Sequence, residues 1–216
     1  MTVTNEVSMA ARVRGLYAIT PDTTDAATLT RQVRAALAGG ARVVQYRNKS
    51  RDSALRRAQA AELLALCKAA DATFIVNDDV ELALACGAHG VHLGRDDGDL
   101  AAARRALGPQ RLLGASCYNR PDLAGQALAQ GADHVAFGSV FASPTKPGAV
   151  RAELSLFSQA RIPGVPCVAI GGITVENAPS VIAAGADAIA VISALFDAPD
   201  IEARAREFAA LFGTPR

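Results

Sequence analysis

Short apolar runs recur along the chain at fairly regular spacing, and segments of helix length separate them. The eight runs cover residues 16–19, 43–45, 73–76, 90–93, 112–115, 134–137, 167–170 and 188–192. Several are solidly apolar rather than alternating, which is typical of parallel strands that helices cover on the outside. The pattern predicts a single α/β domain, a closed (β/α)8 TIM barrel. An open doubly wound sheet is the alternative, but eight evenly used strand–helix units favour closure.

The segments between the runs are rich in Ala and Leu and have helical periodicity. The predicted helices cover residues 26–38, 51–70, 80–85, 100–106, 122–129, 154–160, 178–183 and 201–212. Glycine followed by alanine recurs after helices, at Gly87 and Gly131 for example, because glycine ends a helix in the left-handed conformation without strain. We expect the barrel to span residues 15–216, and residues 1–14 to form a loose N-terminal extension packed near it.

The charges nearly balance, with 22 Lys and Arg against 21 Asp and Glu in 216 residues. No basic field is present that would attract nucleic acid or an anionic membrane. No run reaches the roughly 20 apolar residues of a membrane span, and residues 1–14 lack the apolar core of a secretory signal. The four cysteines form no CxxC pair, so we expect no disulfide framework. The sequence predicts a soluble, cytoplasmic protein and leaves open whether it forms a homo-oligomer.

Polar residues and glycines follow the last three predicted strands, at the end of a barrel where active sites lie. Gly171 and Gly172 follow the seventh run, and Ile192 and Ser193 stand at the end of the eighth. In barrels these two loops often bind a phosphate through backbone N–H groups. The loop after the sixth run adds two hydroxyls and an ammonium, at Ser143, Thr145 and Lys146. Each feature alone is ordinary loop composition, but their common rim favours a phosphorylated ligand.

A second group of polar residues follows the second strand. Gln45, Arg47 and Lys49 alternate along the chain, so we expect their side chains to point the same way. Two cations and an amide at the barrel mouth fit a diphosphate, which arginine can bind with two hydrogen bonds. Exposed charges at a strand end are the alternative interpretation, mainly for Lys49. Two phosphorylated ligands indicate a transfer reaction rather than an isomerisation.

Acidic residues follow the third and fourth strands, which are neighbours in a barrel. Asp78 and Asp97 can therefore converge, and two carboxylates near bound phosphates are typical of a Mg²⁺ site. Helix capping is the alternative for such residues, and it is our interpretation of Asp79. The three histidines do not form a metal cluster, so zinc is not expected.

Six motifs occur in the order and spacing of a known family. They lie at residues 45–49 (QYRNK), 74–79 (FIVNDD), 90–97 (GVHLGRDD), 114–117 (GASC), 143–146 (SPTK) and 171–173 (GGI). With these motifs the chain resembles the thiamine-phosphate synthase family from Leu16 to about Phe196. The resemblance implies an enzyme that joins 4-amino-2-methyl-5-(diphosphooxymethyl)pyrimidine to a thiazole phosphate. Diphosphate leaves first, and the products are thiamine phosphate and diphosphate.

The resemblance also implies a role for each matching residue. The pyrimidine diphosphate would be held by Gln45, Arg47, Lys49, Asn77 and Lys146, with Ser116 against the pyrimidine or its diphosphate. Mg²⁺ would be bound by Asp78 and Asp97. The thiazole phosphate would be held by Ser143, Thr145, Gly172, Ile192 and Ser193. Of these residues, catalysis is assigned to Arg47, Ser116 and Lys146, because the departing diphosphate needs charge stabilisation more than a strong base.

Two positions depart from the family pattern. Ser143 replaces a threonine and keeps its hydroxyl, and Arg95 stands where glutamine is common. A thiazole tautomerase paralogue shares the barrel, but it uses a histidine shortly after the strand-five serine, and residues 117–119 supply none. A sugar-phosphate isomerase or epimerase would leave the diphosphate and metal residues without a shared role. A non-catalytic phosphate-binding barrel is the third alternative, and it would not need Mg²⁺.

Overall fold

Eight parallel strands close into a barrel in the computed structural model, which describes residues 9–142 and 150–213. Neighbours in the barrel are neighbours in the sequence, and β1 closes the ring by pairing with β8 as well as β2. The strands are β1 Gly15–Ile19, β2 Val43–Tyr46, β3 Thr73–Asn77, β4 Gly90–Leu93, β5 Leu112–Tyr118, β6 His134–Phe137, β7 Cys167–Ile170 and β8 Ala188–Val191. The predicted TIM barrel is confirmed, and the open sheet is excluded.

Helices follow the strands and cover the outside of the barrel. They are α1 Ala26–Ala38, α2 Ser53–Ala69, α3 Val80–Cys86, α4 Leu100–Leu107, α5 Pro121–Ala129, α6 Ser155–Gln159, α7 Ala178–Ala183, α8 Ser193–Phe196 and α9 Ile201–Ala210. Aspartate side chains at the N-caps of five helices accept backbone N–H groups, as at Asp25 and Asp52. Such caps satisfy donors that have no partner within the helix. None of the helices in the described ranges is long and apolar enough to cross a membrane.

Most element boundaries differ from the prediction by one or two residues, and two of the differences affect site residues. β5 continues past residue 115 to Tyr118, with a register irregularity against β6 between Ser116 and Tyr118. β8 ends at Val191, and Ile192 is the N-cap of α8, a four-residue helix that was not predicted. Ser116 therefore lies within a strand, whereas Ser193 begins a helix.

The core has two layers, one inside the barrel and one between the barrel and its helices. Alternate strand residues fill the inner layer, among them Tyr17, Val43, Ile75 and Val168. Val13, which precedes β1, is fully buried in this inner cluster, and a short 3₁₀ helix at Met9–Arg12 leads into it. Val13 extends the inner layer at the strand N-termini, and members nearer the C-terminal ends, such as Ile19 and Ala190, line a cavity there.

Candidate functional site

A cavity of about 940 Å³ opens among the C-terminal ends of the strands. Every one of the eight strands or the loop that follows it contributes to its wall. All the predicted site residues in the described part of the chain line it, namely Gln45, Arg47, Lys49, Asn77, Asp78, Asp97, Ser116, Gly172, Ile192 and Ser193. Ser143, Thr145 and Lys146 lie outside the described residues. The structure brings the described set together in one place, and the role of each residue stays a prediction.

Gln45 forms the polar floor of the cavity on the β2 side. It is 4% exposed, accepts a hydrogen bond from the Tyr17 hydroxyl at 2.7 Å and donates to Asn77 Oδ1 at 2.5 Å. Burial raises the pKa of Tyr17, so its hydroxyl is a neutral donor. These two bonds fix the orientation of both amides at the floor of the cavity.

Arg47 and Lys49 lie beyond the end of β2 at Tyr46, so strand alternation does not orient their side chains. Contacts from the β1–α1 loop hold this segment instead. The Thr20 hydroxyl accepts from the Arg47 N–H at 2.9 Å and donates to the Arg47 carbonyl at 3.1 Å. Asp22 pairs with the Arg47 guanidinium and accepts from the Lys49 N–H at 2.7 Å. Both cations still reach the cavity wall.

Asp78 and Asp97 converge as the neighbouring strands predict. Burial and the adjacent Asp97 carboxyl raise the pKa of Asp78 to about 6, although Asn77 and Arg47 act in the opposite direction. Asp97 also accepts from the Gly94 N–H at 2.9 Å. Crowded carboxylates of this kind lose their mutual repulsion when a cation binds between them.

The donor set at this point fits Mg²⁺. Asp78 and Asp97 offer hard carboxylate oxygens, and the ion usually takes one or two carboxylates and completes its shell with water and phosphate oxygens. Within residues 9–142 and 150–213 no group of three or more His, Cys, Asp or Glu side chains could hold a metal. Water and the oxygens of a phosphorylated substrate would complete the shell of such an ion.

Asp79, next in sequence, has the structural role assigned to it. Its carboxylate accepts from the Leu82 N–H at 2.8 Å at the start of α3 and pairs with Arg56 at 2.7 Å. The prediction of helix capping is confirmed for this residue.

The turn after β7 packs tightly against the loop after β6. Gly171 and Gly172 have positive φ angles of 104° and 64°. A Cβ on Gly171 would lie 2.1 Å from Ser139 Oγ, and one on Gly172 would lie 2.3 Å from the Ala142 carbonyl oxygen. Only glycine fits both the conformation and the space. Asn177 supports the turn by donating to the Gly172 carbonyl at 3.0 Å.

Several residues of the cavity were not singled out from the sequence. Tyr17 and His92 face the cavity from β1 and β4, and Asp22 orients Arg47 from a loop. Tyr118 carries the Arg95 guanidinium over its ring at 4.9 Å, a cation–π distance. The alternation of side chains along a strand places Tyr17 and His92 at inward positions, so the sequence pattern could have identified both as cavity residues. Asp22 and Tyr118 have no comparable signal, because Asp22 lies in a loop and Tyr118 ends β5 after a register irregularity, with a positive φ angle of 55°.

The fold and the position of this cavity define the class of the protein: a (β/α)8 barrel with a polar cavity at the face where barrel enzymes have their active sites. Residues 16–195 match the family model described as thiamine monophosphate synthase. The chain belongs to this family.

Individual relatives agree. The chain is 61% identical over 205 residues to the thiamine-phosphate synthase of Chromobacterium violaceum, covering 95% of this chain and 99% of that one. It is 58% identical to the thiamine-phosphate synthase of Methylobacillus flagellatus, covering 93% and 96%. The solved structure of thiamine phosphate pyrophosphorylase from Pyrococcus furiosus superposes with a TM-score of 0.82 at 34% identity, covering 94% and 97%.

Proposed function

We propose that the chain is a Mg²⁺-dependent thiamine-phosphate synthase, a transferase of thiamine biosynthesis. It joins 4-amino-2-methyl-5-(diphosphooxymethyl)pyrimidine to thiazole phosphate and releases diphosphate. Family membership and relatives at more than half identity support the activity. The observation that carries it structurally is that Arg47 and Lys49 line the same cavity as the paired carboxylates of Asp78 and Asp97.

The diphosphate end of the pyrimidine substrate would lie on the β2–β4 side of the cavity. Arg47 and Lys49 supply positive charge there, and Gln45 and Asn77 supply amide groups. Mg²⁺ on Asp78 and Asp97 would neutralise the charge that develops on the departing diphosphate. Lys146 is assigned to the same group by the family motif, and Ser116 would contact the pyrimidine or its diphosphate.

The thiazole phosphate would lie on the β7–β8 side. Gly172 offers backbone close to the cavity, and Ile192 and Ser193 border the start of α8. Backbone N–H groups after the seventh and eighth strands are the usual phosphate site of barrels. Ser143 and Thr145 complete the set in the proposal. The two phosphates then sit on opposite sides of one cavity, which aligns the thiazole nitrogen with the pyrimidine methylene carbon.

We place the protein in the cytoplasm. All four cysteines, Cys67, Cys86, Cys117 and Cys167, are free thiols, as is usual in a reducing compartment. Its partners in this proposal are the two small-molecule substrates, without nucleic acid or membrane, and a homo-oligomer stays open.

The test is product analysis with purified protein and Mg²⁺. With both substrates, thiamine phosphate and diphosphate should form in equal amounts, and omission of either substrate should abolish both products. Isomerisation of thiazole phosphate alone would instead identify a tautomerase. Binding of thiazole phosphate without any product would identify a non-catalytic barrel.

A further inference from the structure

Two histidines and a serine form a buried row across three neighbouring strands. His92 Nε2 lies 2.9 Å from Ser116 Oγ, and His92 Nδ1 lies 3.5 Å from His134 Nε2. His134 is fully buried, whereas His92, which is 7% exposed, and Ser116 both line the cavity. The row therefore leads from the barrel interior to a residue assigned to the substrate.

Gly114 creates the space for this row. It is the register partner of His92 on β4 and of His134 on β6. A Cβ at this position would lie 2.2 Å from His134 Nε2 and 2.4 Å from His92 Nδ1. The absence of a side chain on the middle strand thus lets the two rings meet.

Both rings lie in the barrel interior, and their side-chain hydrogen-bond partners among the described residues are each other and Ser116 Oγ. No carboxylate in that part of the chain pairs with either ring, and burial without such a partner favours the neutral imidazole. Desolvation by burial lowers the pKa of His134 to about 3. A neutral imidazole has one N–H donor and one acceptor nitrogen, so the row must be in one of a few tautomeric states.

Only two arrangements put a donor opposite an acceptor between the rings. In the first, each ring carries its proton on Nδ1, so His92 donates to His134 and accepts from Ser116. In the second, each carries it on Nε2, so His134 donates to His92 and His92 donates to Ser116. The remaining combinations place two N–H groups or two lone pairs against each other.

The orphaned atom of His134 decides between them. Its Nδ1 has no hydrogen-bond partner among the described residues. The first arrangement would leave a buried N–H donor without an acceptor, whereas the second leaves only an unused lone pair. Buried donors without partners are rarer than under-satisfied acceptors, so the second arrangement is favoured.

We propose that His134 and His92, both protonated on Nε2, are positioning residues that make Ser116 Oγ an acceptor toward the protein. The serine hydroxyl hydrogen then points into the cavity as a donor to the substrate. The acceptor would be a pyrimidine ring nitrogen or a diphosphate oxygen, and this part rests on the proposed function. Without His92, the hydroxyl could turn away from the substrate.

The tautomers can be read directly, without substrate, by two-bond ¹H–¹⁵N correlation NMR of the full chain with ¹⁵N-labelled histidine at pH 7. The sequence has three histidines. His89 serves as the internal reference, because its Nδ1 accepts from the Phe74 N–H at 2.9 Å and its proton must be on Nε2. His92→Gln and His134→Gln spectra assign the other two. We expect the Nε2–H pattern for all three; an Nδ1–H pattern or a charged ring at either buried position overturns the proposal.

A double-mutant cycle tests the effect on the reaction. Ser116→Ala and His92→Leu should each lower kcat/KM about tenfold, the order expected for one hydrogen bond. The double variant should be no worse than Ser116→Ala alone, because both changes remove the same interaction. His92→Gln, which keeps a donor in this region, should recover most of the activity. Multiplicative losses in the double variant would show that His92 does not act through Ser116.

The NMR spectrum and the activity assay test the histidine proposal and the proposed function separately. Should the unmodified chain make no thiamine phosphate, the proposed function fails, but the spectrum still tests the direction of the hydrogen bonds. The spectrum of the unmodified chain also remains decisive where a histidine variant does not fold.

Discussion

Asp22 shows how one side chain outside any motif can set the geometry of a binding group. Its carboxylate engages both the Arg47 guanidinium and the Lys49 N–H. With Asp22 42% and Arg47 23% exposed, the pair is screened by water and contributes little to stability. Its effect should instead lie in the orientation of Arg47 toward the diphosphate.

We therefore expect Asp22→Asn to raise KM for the pyrimidine diphosphate about tenfold, the scale of one charge-assisted hydrogen bond. The melting temperature should change little. Asp71→Asn is the matched control, because Asp71 pairs with Arg12 away from the cavity lining and its loss should leave KM unchanged. A lower KM in Asp22→Asn would mean that Asp22 competes with the substrate for Arg47.

The buried histidines predict a pH dependence of stability. Between pH 6.5 and pH 4 the imidazole is protonated in the unfolded chain, where its pKa is about 6.5, but stays neutral in the folded protein, where burial lowers its pKa. The stability that these neutral rings contribute is therefore fully present above about pH 6.5 and is lost as the pH drops toward 4. Each ring should account for about 2 kcal/mol of unfolding free energy between pH 7 and pH 5. The raised pKa of Asp78 offsets part of this loss.

Urea unfolding at pH 7 and pH 5 measures the effect. His134→Gln should reduce the loss between the two pH values by about 2 kcal/mol, whatever its effect at pH 7. His89→Gln is the comparison, because His89 is only half-buried and should change the difference less. An unchanged loss in His134→Gln would mean that this ring is already protonated in the folded protein.

At the scale of elements, β5 connects the barrel core to the site. Gly114 separates the two histidine rings, and Ser116 on the same strand reaches the cavity. Gly114→Ala should destabilise the protein by about 1–3 kcal/mol, because overpacking forces neighbours to move. On α5, the Cβ added by Gly125→Ala would have no atom within 4 Å. This substitution should stabilise the protein by about 0.5–1 kcal/mol, because alanine favours the helix more than glycine does.

Denaturant titration compares the two glycine variants. The two substitutions should change the free energy of unfolding in opposite directions, and an unchanged stability in Gly114→Ala would mean that the histidine row has more room than its contacts indicate. Gly114→Ala should also move the histidine NMR signals of the buried pair while leaving that of His89 in place.

The strand pattern predicted β4, β6 and β7 to the residue, because these strands are apolar runs bounded by turns. It ended β5 too early, since Ser116 and Tyr118 have the polarity of a loop but continue the strand. It missed α8, because four residues are too few to show a helical period. Element boundaries thus failed where polar or very short segments carry the site.

The site itself was predictable only in part. Polar residues at strand ends identify the rim, because all parallel strands of a barrel end at the same face. The contacts of Arg47 with Asp22 and of His92 with His134 depend instead on loop packing and on register across strands. Neither is encoded in local spacing.

At the scale of the whole molecule, the barrel packs apolar residues toward one end and opens a cavity at the other. Residues that are distant in sequence, such as Gln45 and Ser193, meet there only because the ring of strands is closed. We propose that diphosphate leaves the pyrimidine substrate at this rim, with Mg²⁺ held by Asp78 and Asp97.

The most direct test is the rate of thiamine phosphate formation against Mg²⁺ concentration in three proteins. The unmodified chain should saturate with Mg²⁺ and be inactive with a chelator. Asp97→Asn should lose about 100-fold in kcat/KM, the scale of one lost electrostatic contact to the transition state. Asp99→Asn is the control: Asp99 is the N-cap of α4 and does not line the cavity, and asparagine also caps helices, so this variant should stay near normal. Full turnover with chelator, or near-normal Asp97→Asn, would contradict the account.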